Sequence, residues 1–303
     1  MSAPNNDDVR VWVNGKRVDG EPAIAALDHG VTVGDGVFET AKVINGEVFA
    51  LTRHHDRMDR SLRGLGLASL DRELVEEGFA SVLAGEPIEH GRLRYTVTAG
   101  PGPLGSDRFD SGLTYIVSAG PVPPAPANTA VAVVPWTRNE RAATVGLKTT
   151  SYAENVVALA AAKAQGATEA IFANTAGVLC EGTGSNIFIV VDGVVLTPSL
   201  QCGPLAGITR ALTIEWLTDA GLQVNEDEIP LSLLAEADEA WITSSVRDIQ
   251  PVNAVRVVPG VETLAGHVDG PAVAERTFTE APGRVTAQAQ EIFAQGRAAN
   301  FNP

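Results

Sequence analysis

Gly120-Pro-Val-Pro-Pro-Ala-Pro-Ala127 decides how the chain is organised. Four prolines in eight residues fix φ and remove backbone donors, so neither a helix nor a central strand can run through them. The stretch reads as a stiff connector. It predicts an N-terminal domain over residues 1–120, a linker over 121–127 and a C-terminal domain over 128–303.

Upstream of the connector, Val9-Arg10-Val11-Trp12-Val13 alternates, and Asn14-Gly15 supplies a two-residue hairpin turn. Asn45-Gly46 repeats the device between strands expected over 39–44 and 47–51. Residues 53–67 read as a helix, with Met58, Leu62 and Leu65 at helical spacing and Gly66 near the end. Residues 71–84 read as a second helix. Over 92–98, Leu93, Tyr95 and Val97 fall on one strand face, and Arg94, Thr96 and Thr98 on the other. Residues 113–119 form a further strand. The expectation is an α+β unit with a mainly antiparallel sheet.

Downstream, strands are expected at 130–134, 170–173, 186–191, 194–197 and 239–243. Asp192-Gly193 turns one of them into the next. Helices are expected at 154–165, ending at Gly166, and at 208–220, closed by Gly221. The polar, alanine-rich tail after Val273 reads as a terminal helix. The fold class is thus α+β to α/β in two domains.

The chain has 303 residues, 45% of them hydrophobic and 19% charged, enough to bury a sizeable core. Its net charge of -15 disfavours nucleic acid and anionic membrane surfaces as partners. Two cysteines, Cys180 and Cys202, argue against a disulfide framework or a cysteine-rich metal site and fit a cytoplasmic location. No metal is expected. Residues 1–10 are polar, with no hydrophobic signal core, and no apolar run is long enough to span a bilayer.

Four short stretches could carry chemistry. Lys148, in Val145-Gly-Leu-Lys-Thr-Thr-Ser-Tyr152, is either a solvated loop lysine or a desolvated amine able to form a Schiff base. Glu181, in Leu179-Cys-Glu-Gly-Thr-Gly-Ser-Asn186, is either a turn carboxylate or one aimed at a cofactor atom across a small-residue loop. Gly203-Pro-Leu-Ala-Gly-Ile-Thr-Arg210 opens a helix whose N–H groups suit either ordinary capping or a phosphate. His54-His-Asp-Arg57 lies on the first long helix, and Ser244-Ser245 follows a strand. Gly34 and Gly36 do not make a dinucleotide site, because no G-x-G-x-x-G occurs there and the turn leads into a strand.

In order and spacing, these stretches resemble the class IV aminotransferase family, the fold type IV pyridoxal-phosphate (PLP) enzymes, from about Val11 to Val252. The resemblance implies the two-domain fold of D-amino-acid aminotransferases, with PLP at the domain interface and a homodimer. It implies Lys148 as the Schiff-base lysine and catalytic acid/base, and Glu181 as the partner of the pyridine nitrogen. It also implies Arg57, Ile208, Thr209 and Ser245 as phosphate ligands, and Asn155 on the helix after Lys148. Gly34-Asp-Gly-Val-Phe-Glu39 resembles the turn and strand bordering the substrate pocket.

Substrate choice rests on departures from that pattern. The tyrosine of the D-amino-acid carboxylate trap is Phe38 here, and its arginine and histidine positions fall at Leu104 and Ser106. Arg94, Arg108 or Arg138 could restore the trap from another direction. Branched-chain enzymes match poorly at Asp35 and its compact lead-in. Phe38-Glu-Thr-Ala-Lys-Val43 and Arg138-Asn139 resemble aminodeoxychorismate lyases. Two readings follow: transfer of an amino group from a D-amino acid or (R)-amine to a 2-keto acid, or a lyase releasing 4-aminobenzoate and pyruvate.

Overall fold

The computed structural model describes residues 8–261 and 273–303. Residues 1–7 of the polar start lie outside the described part. The first unit comprises residues 1–124, 147–151 and 301–303, and the second comprises 125–146 and 152–300. The division at Pro124 and Ala125 falls inside the proline-rich connector. However, the short piece bearing Lys148 joins the first unit, although it lies beyond the connector in sequence.

The first unit runs β1 (Arg10–Val13), β2 (Lys16–Arg17), α1 (His29–Thr32), β3 (Gly36–Ile44), β4 (Glu47–Val48), α2 (Leu51–Gly64), α3 (Arg72–Leu83), β5 (His90–Thr98) and β6 (Thr114–Pro121). Its sheet has the order β2-β1-β6-β5-β3-β4, with every pairing antiparallel. Both hairpins form on the expected turns: Asn14 and Gly15, like Asn45 and Gly46, adopt the positive φ that a two-residue turn requires. Helix α2 starts two residues earlier and ends three earlier than the spacing suggests, since Gly66 at φ 71° turns the chain away. Asp71 caps α3 by accepting from Leu74 N. The sheet face carrying Val37, Val43, Leu93, Tyr95, Val97 and Val117 packs with Met58, Leu62, Val75 and Phe79 of the two helices.

The second unit runs β7 (Thr129–Arg138), α4 (Ala153–Ala164), β8 (Glu169–Asn174), β9 (Leu179–Gly182), β10 (Asn186–Val191), β11 (Val194–Pro198), α5 (Ile208–Asp219), β12 (Val224–Asp227), α6 (Leu233–Glu236), β13 (Glu239–Ser244), β14 (Asp248–Val257), β15 (Arg276–Thr277) and α7 (Arg284–Ala299). Among the described residues its sheet has nine strands in the order β12-β11-β10-β13-β14-β7-β8-β9, with β15 on β14. Parallel pairs (β7 with β8 and β14, β11 with β12) mix with antiparallel ones. Strand β7 outruns the expected 130–134 by carrying Pro135 within a register irregularity against β8. Residues 179–182, expected as loop, form a strand on β8 that places Glu181 opposite Phe172. The tail helix forms as α7. Among the described residues no helix is long and apolar enough to cross a membrane.

Candidate active site

In the first unit the period-2 alternation of β3 puts Glu39 on the same inward face as Val37, Ala41 and Val43. Glu39 is fully buried. A carboxylate there requires partners, and α2 supplies them one turn apart. Arg57 donates from Nε to Glu39 Oε1 and from Nη2 to Oε2, each at 2.7 Å. His54 Nδ1 lies 2.7 Å from Oε2. Burial alone would push the Glu39 carboxyl up. The Arg57 charge and fork, helped by His54, outweigh that and hold it well below the usual range. Of the three neighbouring arginines, Arg57 is buried, Arg53 half-buried and Arg60 exposed. Arg53 donates to Pro303 O.

Next to this cluster, residues 147–151 add a short rung to β3. Phe38 N donates to Lys148 O at 2.9 Å, Thr150 N donates to Gly36 O at 2.8 Å, and Lys148 N donates to Ser61 Oγ at 3.2 Å. A Cβ on Gly36 would lie 2.9 Å from Val97 O of β5 and 3.2 Å from Thr150 Oγ1, so glycine suits the squeeze between the two neighbours. Lys148 is therefore fixed at its backbone from two sides. Its Nζ lies 4.4 Å from the centre of the Phe38 ring, and the Arg94 guanidinium lies 3.6 Å from the same centre. Leu104 is 81% exposed. Arg108, on the same loop, forks onto Asp35 at 2.6 and 2.5 Å and donates to Leu65 O.

In the second unit Glu181 projects from β9 with 13% of its side chain exposed. Its Oε2 accepts from Leu205 N at 3.0 Å, and its Oε1 lies 3.2 Å from Arg138 Nε. Arg138 also reaches Glu154 Oε2 at 2.8 Å and stacks on Phe172 at 4.1 Å. The structure therefore places Arg138, a candidate substrate contact, beside Glu181. Gly207 caps α5 with no side-chain hydrogen bond, and a Cβ on it would collide with Asn186 Oδ1. The helix thus opens on Ile208 and Thr209, both buried, with no hydrogen bond from a capping side chain of its own. Ser245 is half-buried in the turn between β13 and β14. Asn155 is buried on α4 and donates to Thr183 O at 2.6 Å.

Sequence reading alone passed over Glu39 as an ion-pair partner. The signal is present: a charged residue at an inward position of an apolar strand, and an arginine one helical turn from His54. The buried Glu169 of β8 was passed over too.

Two further buried groups, the adjacent histidines of α2, set a pH dependence. Burial is the main cause that lowers both His54 and His55, the latter to about 4 against an ordinary 6.5. Each folded pKa lies below the unfolded one, so the unfolded chain binds more protons between those values. Their contribution to stability is complete above pH 6.5 and falls as pH drops below it, for His55 until pH reaches about 4. His55 alone should account for about 2 kcal/mol between pH 7 and 5, at about 1.4 kcal/mol per pH unit. The check is urea unfolding at both pH values for wild type and His55→Phe. An equally steep acid loss in the mutant would remove His55 as its source.

The pattern of the family described as Amino-transferase class IV matches residues 36–255. A Methanocaldococcus jannaschii protein carrying the name of a branched-chain-amino-acid aminotransferase is 33% identical, over 80% of this chain and 87% of its own. The aminodeoxychorismate lyase of Bacillus subtilis is 30% identical, over 82% and 87%. A Listeria monocytogenes D-alanine aminotransferase is 29% identical, over 95% and 96%. Among solved structures, the branched-chain aminotransferase of Thermoproteus uzoniensis with norvaline has a TM-score of 0.75 at 28% identity, covering 94% of this chain and 93% of that one. Branched-chain enzymes, set aside on the Asp35 turn, are therefore similar to this chain on at least equal terms with the other two kinds. The matched span takes in Phe38, Arg57, Lys148, Glu181, Thr209 and Ser245, and with it the chain belongs to the class IV aminotransferase family.

Proposed function

We propose that this chain is a PLP-dependent aminotransferase that moves an amino group from a D-amino acid or (R)-amine to a 2-keto acid. The observation that carries the reading is Lys148: a primary amine on a doubly anchored backbone, over Phe38 and within the family's matched span. The residues present fit the cofactor. The glycine-capped start of α5 suits a phosphate dianion, Glu181 suits a protonated ring nitrogen, and Lys148 suits an aldehyde. When bound, PLP supplies an electron sink for the carbon that loses its proton.

The chain's own residues then have distinct tasks. Lys148 holds the cofactor and moves the proton at the substrate carbon. Glu181 keeps the ring nitrogen protonated, and its charge is itself steadied by Arg138 and Leu205 N. Ile208 and Thr209 offer backbone N–H groups to the phosphate, and Arg57 and Ser245 side-chain donors. We propose a homodimer as the working form.

Arg94 is the proposed donor to the substrate carboxylate. Its guanidinium lies 3.6 Å from the centre of the Phe38 ring, the same ring that Lys148 Nζ approaches to 4.4 Å. Arg94→Ala should raise the KM for a keto acid by roughly ten- to a hundredfold, the loss of one hydrogen bond to a charged group, and leave (R)-amine binding unchanged. Steady-state kinetics with both substrates checks this, and equal effects on the two would reject the assignment. Glu181→Gln should keep PLP bound and slow turnover by about a hundredfold or more, because the amide preserves shape without charge. A wild-type rate and pH profile would reduce Glu181 to a structural role.

The second reading, a 4-amino-4-deoxychorismate lyase, is favoured by the Bacillus subtilis relative and by Phe38-Glu-Thr-Ala-Lys-Val43. One screen separates the readings: D-alanine, (R)-1-phenylethylamine, L-leucine and aminodeoxychorismate, each with 2-oxoglutarate. Amino transfer from the first two supports the proposal. Transfer from L-leucine alone would move the chain to branched-chain substrates. Pyruvate release from aminodeoxychorismate without amino transfer would establish the lyase.

A further inference from the structure

The buried carboxylate of Glu169, at the start of β8, has no task in the reaction just described. It is fully buried. Its Oε1 accepts from Thr183 N at 3.0 Å and from the Thr183 hydroxyl. Its Oε2 accepts from Ser185 Oγ at 3.0 Å and pairs by charge with Arg247, whose Nη1 lies 3.1 Å away without the alignment of a hydrogen bond. Gly182 is held to the same spot, since a Cβ on it would clash with Ser185 Oγ and press on the Glu169 side chain. Thr183 is pinned from the other side as well, its carbonyl accepting from Asn155.

The two groups of partners lie in separate loops. Gly182–Ser185 directly follows Glu181, and Arg247 closes the turn that contains Ser245. One side chain therefore ties the loop behind the ring-nitrogen carboxylate to the loop holding a phosphate donor. A carboxylate has acceptor sites enough for all four partners, whereas a neutral amide would turn two donors toward one of them. Such a buried carboxylate, hydrogen-bonded by one loop and charge-paired to another, is a means of fixing geometry more than of adding stability.

We propose that Glu169 is a positioning residue for the cofactor, setting Glu181 and Ser245 in register through Thr183 and Arg247. The proposal rests on the reading of those two residues as PLP contacts. It makes Glu169 the common support of two arms that can be cut one at a time.

The test is equilibrium binding of PLP, pyridoxal and inorganic phosphate to apo-enzyme, with far-UV circular dichroism to confirm folding. Arg247→Gln should weaken inorganic phosphate and PLP by about tenfold, one charge-assisted contact, and leave pyridoxal unchanged. Thr183→Val should weaken pyridoxal and PLP by a similar factor and leave inorganic phosphate unchanged. Glu169→Gln should weaken all three. Folded Glu169→Gln enzyme that binds all three ligands like wild type overturns the proposal, whatever its melting temperature. Should Glu169→Gln fail to fold, the single-arm variants decide: ligand affinities unmoved in both would overturn it equally. Failure of wild-type apo-enzyme to bind PLP would instead sink the functional reading beneath it.

Discussion

Replacing Lys148 with alanine is expected to lower turnover by about three orders of magnitude or more, the scale of losing both a nucleophile and a general acid/base. The fold should survive. The anchoring bonds of this segment use the Lys148 carbonyl and N–H, and Thr150 N, none of which the substitution removes. Cofactor affinity through the phosphate should also persist, since the proposed phosphate donors lie elsewhere in the sequence. The yellow absorption of lysine-linked cofactor should be lost, and a small added amine should restore part of the rate. Lys163, on α4, serves as the control: Lys163→Ala should turn over like wild type. If Lys148→Ala retains near-full turnover without added amine, another group does the chemistry.

Removing one partner of the Glu39–Arg57 pair is expected to produce the largest loss of stability of any single substitution discussed here. Glu39 is fully buried and Arg57 is 4% exposed. Arg57→Ala leaves a carboxylate in an apolar interior with only His54 beside it. The cost should be about 3–5 kcal/mol, as for breaking other buried pairs. Glu39→Gln should cost less, because the amide oxygen can still accept from Arg57. Urea unfolding of apo-enzyme at pH 7 measures both. Losses within about 0.5 kcal/mol of wild type, the scale of ordinary surface substitutions, would show that the pair is not load-carrying in the fold. The sign with pH follows. The Glu39 carboxyl is depressed in the fold from an ordinary 4.5, so its contribution is complete above that value and falls as pH drops below it. The pair also constrains any use of Arg57→Ala as a cofactor-binding test: weaker PLP binding has meaning only in the fraction shown to be folded. Arg53→Ala and Arg60→Ala carry no such burden.

Much of this fold was legible because its punctuation is local. Asn14-Gly15, Asn45-Gly46 and Asp192-Gly193 announce hairpins through the conformations those residues tolerate, and all three form. The helices α2, α4 and α5 end where a glycine with positive φ follows within two residues of their caps. Strand β9 escaped because it is only four residues long and its Gly182 runs straight into the loop of Thr183-Gly184-Ser185. Its pairing to β8 is decided by a distant partner, not by its own propensity. Strand β14 was hidden by Pro251 and Asn253, which break the apolar run yet sit within a ten-residue strand. The candidate residues are legible in a family likeness of spacing, whereas the charges that hold them come from strands and loops distant in sequence. No local pattern tells that Arg57 meets Glu39, eighteen positions away, or that Glu169 gathers Thr183, Ser185 and Arg247.

The membership of residues 147–151 in the first unit has a consequence for synthesis. During translation, residues 1–124 leave the ribosome well before the rung that pairs Thr149 with Val37 has been made. Gly36 O and Phe38 N, both at a buried strand start, must wait for partners from beyond the connector. Residues 301–303, which accept from Ala50 N and Thr52 N, arrive later still. A nascent chain stalled near residue 130 should therefore expose amides that the finished protein protects from hydrogen exchange, and one stalled past 151 and clear of the exit tunnel should not at Phe38.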